Sequence, residues 1–243
     1  MRLTRVYVDA PLAAGTQITL AGNAASHVTR VLRLRVGEAL TLFNGRGGEH
    51  LGSIDRARGG EVTVSVGEHA AIERESSFPL TLAQGISRGE RMDLVVQKAT
   101  ELGVSRLVPL LTERSVVRLD AQQADRKFNH WLAVAIAACE QCGRNRLPEV
   151  ALPTQLRGFL RQPPDGGTRL LLSPEAPQRI EDVPRPERGA IVLIGPEGGL
   201  ADEEQQDAVA AGFSAVRLGP RILRTETAAI AALTLLQREF GDL

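Results

Sequence analysis

With 243 residues, 43% of them hydrophobic, the chain can bury a sizeable core, as one large domain or as a small one joined to a medium one. Its 29 basic and 29 acidic residues cancel, so no global field advertises a polyanionic partner, although a basic face can still be built locally. Two cysteines exclude a disulfide framework, "MRLTRVYVDAP" lacks the apolar core of a signal peptide, and no apolar run approaches the ~18 residues that span a bilayer, so a cytoplasmic protein with no membrane partner is expected. All the basic residues except Lys98 and Lys127 are arginines. The guanidinium fork suits phosphate contacts, but a genome favouring Arg, Ala and Gly codons gives the same bias. Only 3% of residues are aromatic, which speaks against bases stacking along an aromatic platform.

In chain order, "RVYVDA", "TQITLAG", "EALTLFNG", "EHLGSIDRA" and "EVTVSVGE" are short, partly alternating segments punctuated by Gly and Asn-Gly turns. One helical piece interrupts them, "NAASHVTRVLRL", with Val28, Val31 and Leu32 on one face and Asn23 or Ser26 as its cap. Closely spaced strands with one helix predict a small β-barrel over residues 1–72. Between His69 and Pro79 the pattern is lost, and a second domain is expected over residues 73–243.

There strands and helices alternate. "LTLAQGI" reads as a strand, and "ERMDLVVQKATELG" as a helix that buries Met92, Val95, Val96, Ala99 and Leu102 and stops at Gly103. "VSRLVPLLT" is the next strand. "RKFNHWLAVAIAACEQC" then carries apolar residues at 128, 131, 132, 135, 136 and 139, a helical stripe. "TRLLLSPEA" and "AIVLIGPE" are continuous apolar runs, as expected of strands buried on both faces of a parallel sheet. Asp202, with Gln205, caps "EEQQDAVAAG", which Gly212 terminates. "SAVRLG" and "ETAAIAALTLLQREF" are the last strand and helix. The predicted class is α/β, doubly wound in character.

Two strand-to-helix corners carry the functional signal. In "IGPEGGL", Gly195, Gly198 and Gly199 lack the Cβ that would hold a ligand off the backbone. The G-x-x-G-G spacing is neither the dinucleotide fingerprint nor a Walker loop, and Glu197, Asp202, Glu203 and Glu204 would repel a phosphate. A ligand with amides, a ribose and a positive centre would be accepted, and S-adenosylmethionine (SAM) has all three. A tight turn before an acidic helix start fits this loop alone equally well. The second corner, "LGPRILR", offers the backbone of Leu218, Gly219, Ile222 and Leu223. Both corners lie at the carboxyl ends of strands expected to be parallel neighbours, where open α/β sheets place ligands. The small residues Ala228, Ala229, Ala231 and Ala232 in the following helix allow close backbone approach.

These corners, with "KATELGV", "ACEQCGRNRLPEV" and "HVTRVLRLRVGEALTLFNG" upstream, resemble the RsmE family over essentially the whole chain. "GPEGG" is moderately specific by itself; joined to "LRTETA" at this separation it is a strong signature. Cys142 departs from the Ser or other small residue expected there. The resemblance implies SAM-dependent methylation of N3 of a uridine in 16S ribosomal RNA of the small ribosomal subunit. It further implies a SPOUT-type parallel-sheet domain with a C-terminal trefoil knot, a PUA-like β-barrel ahead of it, and a homodimer with the site near the subunit interface. The donor-binding set it implies is Leu172, Ser173, Gly195, Pro196, Glu197, Gly198, Gly199, Leu218, Gly219, Ile222, Leu223, Thr225 and Thr227.

Uracil N3 must lose its proton before or during attack, and the charge then spreads onto O2 and O4. A fixed cation beside those oxygens would stabilise the transition state. Arg224 suits that role, its bland alternative being an ion pair with Glu197 or Glu226. Glu226 is either a candidate base or a structural residue whose charged form the helix N-terminus favours. Gln141 and Arg144 are candidates for contact with RNA, or else helix-end groups in solvent. Arg30, Arg33 and Arg35, around a structural His27, join Arg2, Arg5 and Arg46 as an RNA-docking face or as ordinary surface decoration. "CEQC" supplies two of the roughly four ligands zinc needs, and Cys139 lies on the apolar stripe, so no metal is expected. Two other functions stand beside this one. The first is a SPOUT enzyme acting on a ribose 2′-hydroxyl or a tRNA base. The second is a non-catalytic ribosome-assembly factor, against which the loop glycines and "LRTETA" speak.

Overall fold

A computed structural model describes residues 4–162 and 167–243. Arg2 and the side chain of Asn23 lie outside the described residues. The residues up to Glu75 group with Ile136–Leu147, and Ser76–Ala135 group with Pro148–Leu243. Among the described residues no helix is long and apolar enough to cross a membrane.

The first unit holds β1 (Arg5–Tyr7), β2 (Gln17–Leu20), α1 (Gly22–Ser26), β3 (Ala39–Phe43), β4 (Glu49–Arg58) and β5 (Glu61–Ala70). They form a five-stranded sheet in the order β1-β3-β4-β5-β2, antiparallel except where β1 meets β3. Arg58 pairs with Glu61 across Gly59 and Gly60, whose φ of 67° and 82° are the left-handed values a two-residue hairpin needs to match strand twist. Alternate residues Val62, Val64 and Val66 of β5 pack inward with Val6, Leu20, Val28, Leu40, Leu42 and Ile54. The expected helix is split, α1 passing into a π-turn over His27–Val31. Val28 is buried, Val31 is 66% exposed, and Ser26 makes no side-chain capping bond.

Arg5 and Arg144, expected to face RNA, are instead 6% and 4% exposed. Arg5 donates to Glu49 and to Asn145 Oδ1, with its guanidinium 4.6 Å from the centre of the Phe43 ring. Arg144 Nε donates to Glu75 at 3.0 Å. Burial pushes the Glu49 carboxyl up, but hydrogen bonds from Arg5 and Asn145 and the charges of Arg5 and Arg74 outweigh it and hold it below its ordinary value. These arginines are buried against half-buried carboxylates and leave no fork for phosphate. The exposed candidates that remain are Arg30, Arg33, Arg35, Arg46 and Gln141. Cys139 is buried with Sγ 3.7 Å from the Arg146 carbonyl, and burial pushes its thiol up to about 12, in keeping with a core residue.

The second unit adds β6 (Leu80–Gly85), α2 (Glu90–Glu101), β7 (Arg106–Leu111), α3 (Ala121–Cys142), β8 (Glu149–Val150), β9 (Thr154–Gln155) and α4 (Leu156–Leu160). There follow β10 (Thr168–Leu172), β11 (Gln178–Arg179), β12 (Ala190–Ile194), α5 (Asp202–Ala210), β13 (Ser214–Arg217) and α6 (Thr225–Phe240). From Ile136 onward α3 belongs to the first unit. The eight strands make a parallel sheet in the order β11-β13-β10-β12-β6-β7-β8, with β9 also on β7. Each central strand is buried on both faces. Leu80, Leu82, Val192 and Ile194 face α2 and α6, while Ala83, Ile191 and Leu193 face α4 and α5. That double burial explains the unbroken apolar runs in the sequence.

Two expectations need correction. β12 and β13 are not neighbours, because β10 lies between them: the chain steps to one side of β10, then crosses back to the other. The cap of α5 is Ala201, not Asp202. Glu204 reaches back to accept the Ala201 N–H at 2.9 Å, and its other oxygen accepts the Glu113 N–H at 2.8 Å. A buried carboxylate therefore ties the helix start to the loop after β7.

Candidate functional site

Because β10 lies between β12 and β13, three carboxyl strand ends sit side by side. The segments that leave them wall a cleft of about 800 Å³, with Arg91 from α2 and Arg114 from the loop after β7 completing the lining. Of the predicted donor set, Leu172, Ser173, Gly195, Pro196, Glu197, Gly199, Leu218, Gly219, Ile222, Leu223 and Thr225 line it, together with Arg224 and Glu226. Gly198 and Thr227 do not. A Cβ at Gly198 would stand 3.2 Å from Arg114 Cβ, so this glycine faces the neighbouring loop and not the cleft. Gly195 is needed for closure of the turn, since a Cβ there would lie 2.9 Å from Gly199 C and Leu200 N.

Charge in the cleft is organised by a residue that sequence reasoning passed over. Arg91 donates to Glu197 at 2.9 Å and approaches Glu226 to 3.9 Å. Glu197 also accepts the Arg88 N–H at 3.0 Å. Burial works against ionisation of Glu197, but the Arg88 N–H, its own N–H and Arg91 outweigh it and hold its pKa below the ordinary value. Both carboxylates thus meet Arg91, and Arg224 stands exposed at the cap of α6. Glu226 Oε2 is buried with no hydrogen-bond partner among the described residues.

A second unforeseen residue is Gln84, near the end of β6 and 0% exposed. Its Nε2 lies 2.8 Å from Thr225 Oγ1, 3.0 Å from the Gly85 carbonyl and 3.4 Å from the Gly195 carbonyl. Thr225 Oγ1 donates in turn to the Gly195 carbonyl at 2.8 Å. Gln84 Oε1 finds no partner among the described residues, a cost of about 1–3 kcal/mol for a buried acceptor. Among the described residues no group of three or more His, Cys, Asp or Glu is placed to hold a metal. The arrangement is one of backbone walls, two carboxylates that meet Arg91, and the exposed guanidiniums of Arg221 and Arg224, neither of which has a partner among the described residues. It can bind a small molecule with a positive centre and steady negative charge beside it.

Residues 74–237 match the RNA methyltransferase domain family, and residues 20–67 the RNA methyltransferase PUA domain. Ribosomal RNA small subunit methyltransferase E of Buchnera aphidicola subsp. Schizaphis graminum is 33% identical over 242 residues, covering 100% of this chain and 98% of that protein. The chain belongs to the ribosomal RNA small subunit methyltransferase E family. A solved member from Neisseria gonorrhoeae, bound to S-adenosyl methionine, is similar with a TM-score of 0.92 and 36% identity over 100% of both chains. A methyltransferase of Legionella pneumophila in complex with SAM is similar with a TM-score of 0.95 and 43% identity, again over 100% of both chains.

The family's parallel-sheet domain and PUA-like amino-terminal unit are thus both present. Arg91 and Gln84 left a faint trace in the sequence: the first turn of α2 follows β6 and therefore emerges at the same carboxyl edge as the two corners. Nothing in the residue types pointed to either.

Proposed function

We propose that the protein transfers the methyl group of SAM to N3 of a uridine in 16S ribosomal RNA. The observation that carries this reading is the shared cleft: the loops after β10, β12 and β13 wall one space in a fold that matches SAM-bound relatives along its whole length. The residues present fit the donor. The cleft's volume lies within the roughly 300–1,000 Å³ of small-molecule sites, and the closed Gly195 turn exposes backbone, with the carboxylates of Glu197 and Glu226 nearby.

When bound, SAM supplies an electrophilic methyl on a sulfonium. The chain's residues do the rest. Arg224, charged and exposed in the cleft lining, is the proposed cation that steadies the negative charge developing on uracil O2 and O4. Glu226, which lines the cleft with one oxygen facing Arg91, is the proposed acceptor of the N3 proton. Loops held fast by their own hydrogen bonds align the two substrates. Arg30, Arg33 and Arg46 of the PUA-like unit are the proposed phosphate contacts, with Gln141 as a further RNA contact.

The reading carries a trefoil knot and a homodimer with it. In support of the first, the chain crosses back over β10 to reach β13 and then packs α6 on α2. Ile222, 84% exposed at the cleft, is a side chain that a second copy would cover. Sedimentation of the purified protein reads out the dimer. For the activity itself, the nucleosides of small-subunit RNA from a deletion strain should lack 3-methyluridine until the gene is restored. An unchanged 3-methyluridine content would sink the proposal.

A further inference from the structure

We infer that Gln84 and Thr225 are positioning residues for methyl transfer: together they fix the gap between the two loops that wall the cleft. The inference rests on the reading of that cleft as the donor pocket. Thr225 is the first residue of α6 and ends the loop that leaves β13, while Gly195 begins the loop that leaves β12. The Thr225 hydroxyl spends its one proton on the Gly195 carbonyl at 2.8 Å and accepts from Gln84 Nε2 at 2.8 Å. Gln84 Nε2 also reaches the Gly195 carbonyl at 3.4 Å. The Thr225 side chain is therefore turned toward protein, and its effect on the donor passes through the loops.

Three features make this a lock and not incidental packing. Gln84 is fully buried, and its Oε1 goes without a partner among the described residues while its Nε2 donates to Thr225 at 2.8 Å and is shared between the Gly85 carbonyl at 3.0 Å and the Gly195 carbonyl at 3.4 Å. Thr225 is 7% exposed, so water competes poorly for its hydroxyl. Next in the chain, a Cβ on Gly85 would stand 2.5 Å from Pro196 N, so the first loop lies flush against the end of β6. One side chain on the sheet thereby sets the distance between two walls that are separated in sequence by 30 residues.

The test compares Thr225→Val, Thr225→Ala and Thr225→Ser with the wild type, and Gln84→Leu as a second route. SAM affinity is read by calorimetry, RNA affinity by filter binding, and folding by thermal melting. Removing the hydroxyl should weaken SAM binding about tenfold to a hundredfold. Thr225→Ser, which keeps the hydroxyl, should stay within about threefold, and RNA affinity should not follow the donor loss. Folded Val, Ala and Leu variants that bind SAM within about twofold of the wild type would overturn the inference alone, as would a Ser variant that falls as far as Val. Should Val not fold, Ala against Ser decides. A wild type that does not bind SAM would overturn the donor-pocket reading and this inference with it.

Discussion

Gly85→Ala puts one methyl group against the donor loop from behind. Gly85 ends β6 and is not part of the cleft wall. An added Cβ would lie 2.5 Å from Pro196 N, 2.6 Å from Pro196 Cδ and 2.9 Å from Gly195 C. All three atoms belong to the turn after β12, and the proline ring leaves φ no freedom to swing them aside. Gly85 is not among the glycines with positive φ, so the penalty is steric. Overpacking of this kind costs about 1–3 kcal/mol. Where the loop yields, the cost falls on the donor-binding conformation, and at 1.4 kcal/mol per tenfold it weakens SAM binding by about 5- to 150-fold. Where the loop resists, the same cost lowers the urea midpoint with affinity intact. Titration calorimetry with SAM and urea unfolding, run on wild type and variant together, capture both. A variant within twofold in affinity and with an unmoved midpoint would refute the close packing of Pro196 on Gly85 and its link to the donor site.

Arg224→Ala should leave SAM affinity largely intact and lower kcat by about 10²–10³, as for loss of one oxyanion donor; single-turnover methylation of small-subunit RNA measures it, and near-normal turnover contradicts the assigned role. Glu197 has a lowered pKa in the folded protein, so its ionisation stabilises the fold above the ordinary value of 4.5, and that contribution is lost as pH falls through the folded value. Melting curves of wild type and Glu197→Gln should therefore differ at neutral pH and converge at acid pH below about 4.5. Arg144→Met leaves Glu75 without its ion-pair partner in a site where that carboxylate is 23% accessible. A loss of about 3 kcal/mol in unfolding free energy is expected, near the low end for broken buried pairs, with SAM affinity unchanged.

The alternating strands of the first unit, the double-buried runs of the second and the glycine stops at Gly103 and Gly212 were legible because each follows from a local pattern of two to four residues. The two corners were legible for the same reason. Strand order was not: nothing local says that β10 inserts between β12 and β13. Arg5 and Arg144 were misread because their partners lie far away in sequence, Asn145 being 140 residues from Arg5 and Glu75 69 from Arg144. A buried arginine paired with a carboxylate looks, in one dimension, like one waiting for a phosphate. At Gly198 a glycine signals close approach without saying of what, and its Cα side meets Arg114. Gln84 and Arg91 stayed hidden because a polar residue at a strand end or in the first turn of a helix is ordinary until the neighbouring loops are in place.

The amino-terminal unit draws on two stretches of chain, the second arriving along α3. Arg5 and the Ile72 carbonyl both bond to Asn145, and Arg74 donates to the Gly143 carbonyl. A fragment ending at residue 75 would forfeit those partners and leave the buried Arg5 with Glu49 and the Phe43 ring alone. Grafting this module onto another enzyme would require carrying residues 136–147 along, through two splice points instead of one. A single junction after residue 75 would exchange only part of the unit.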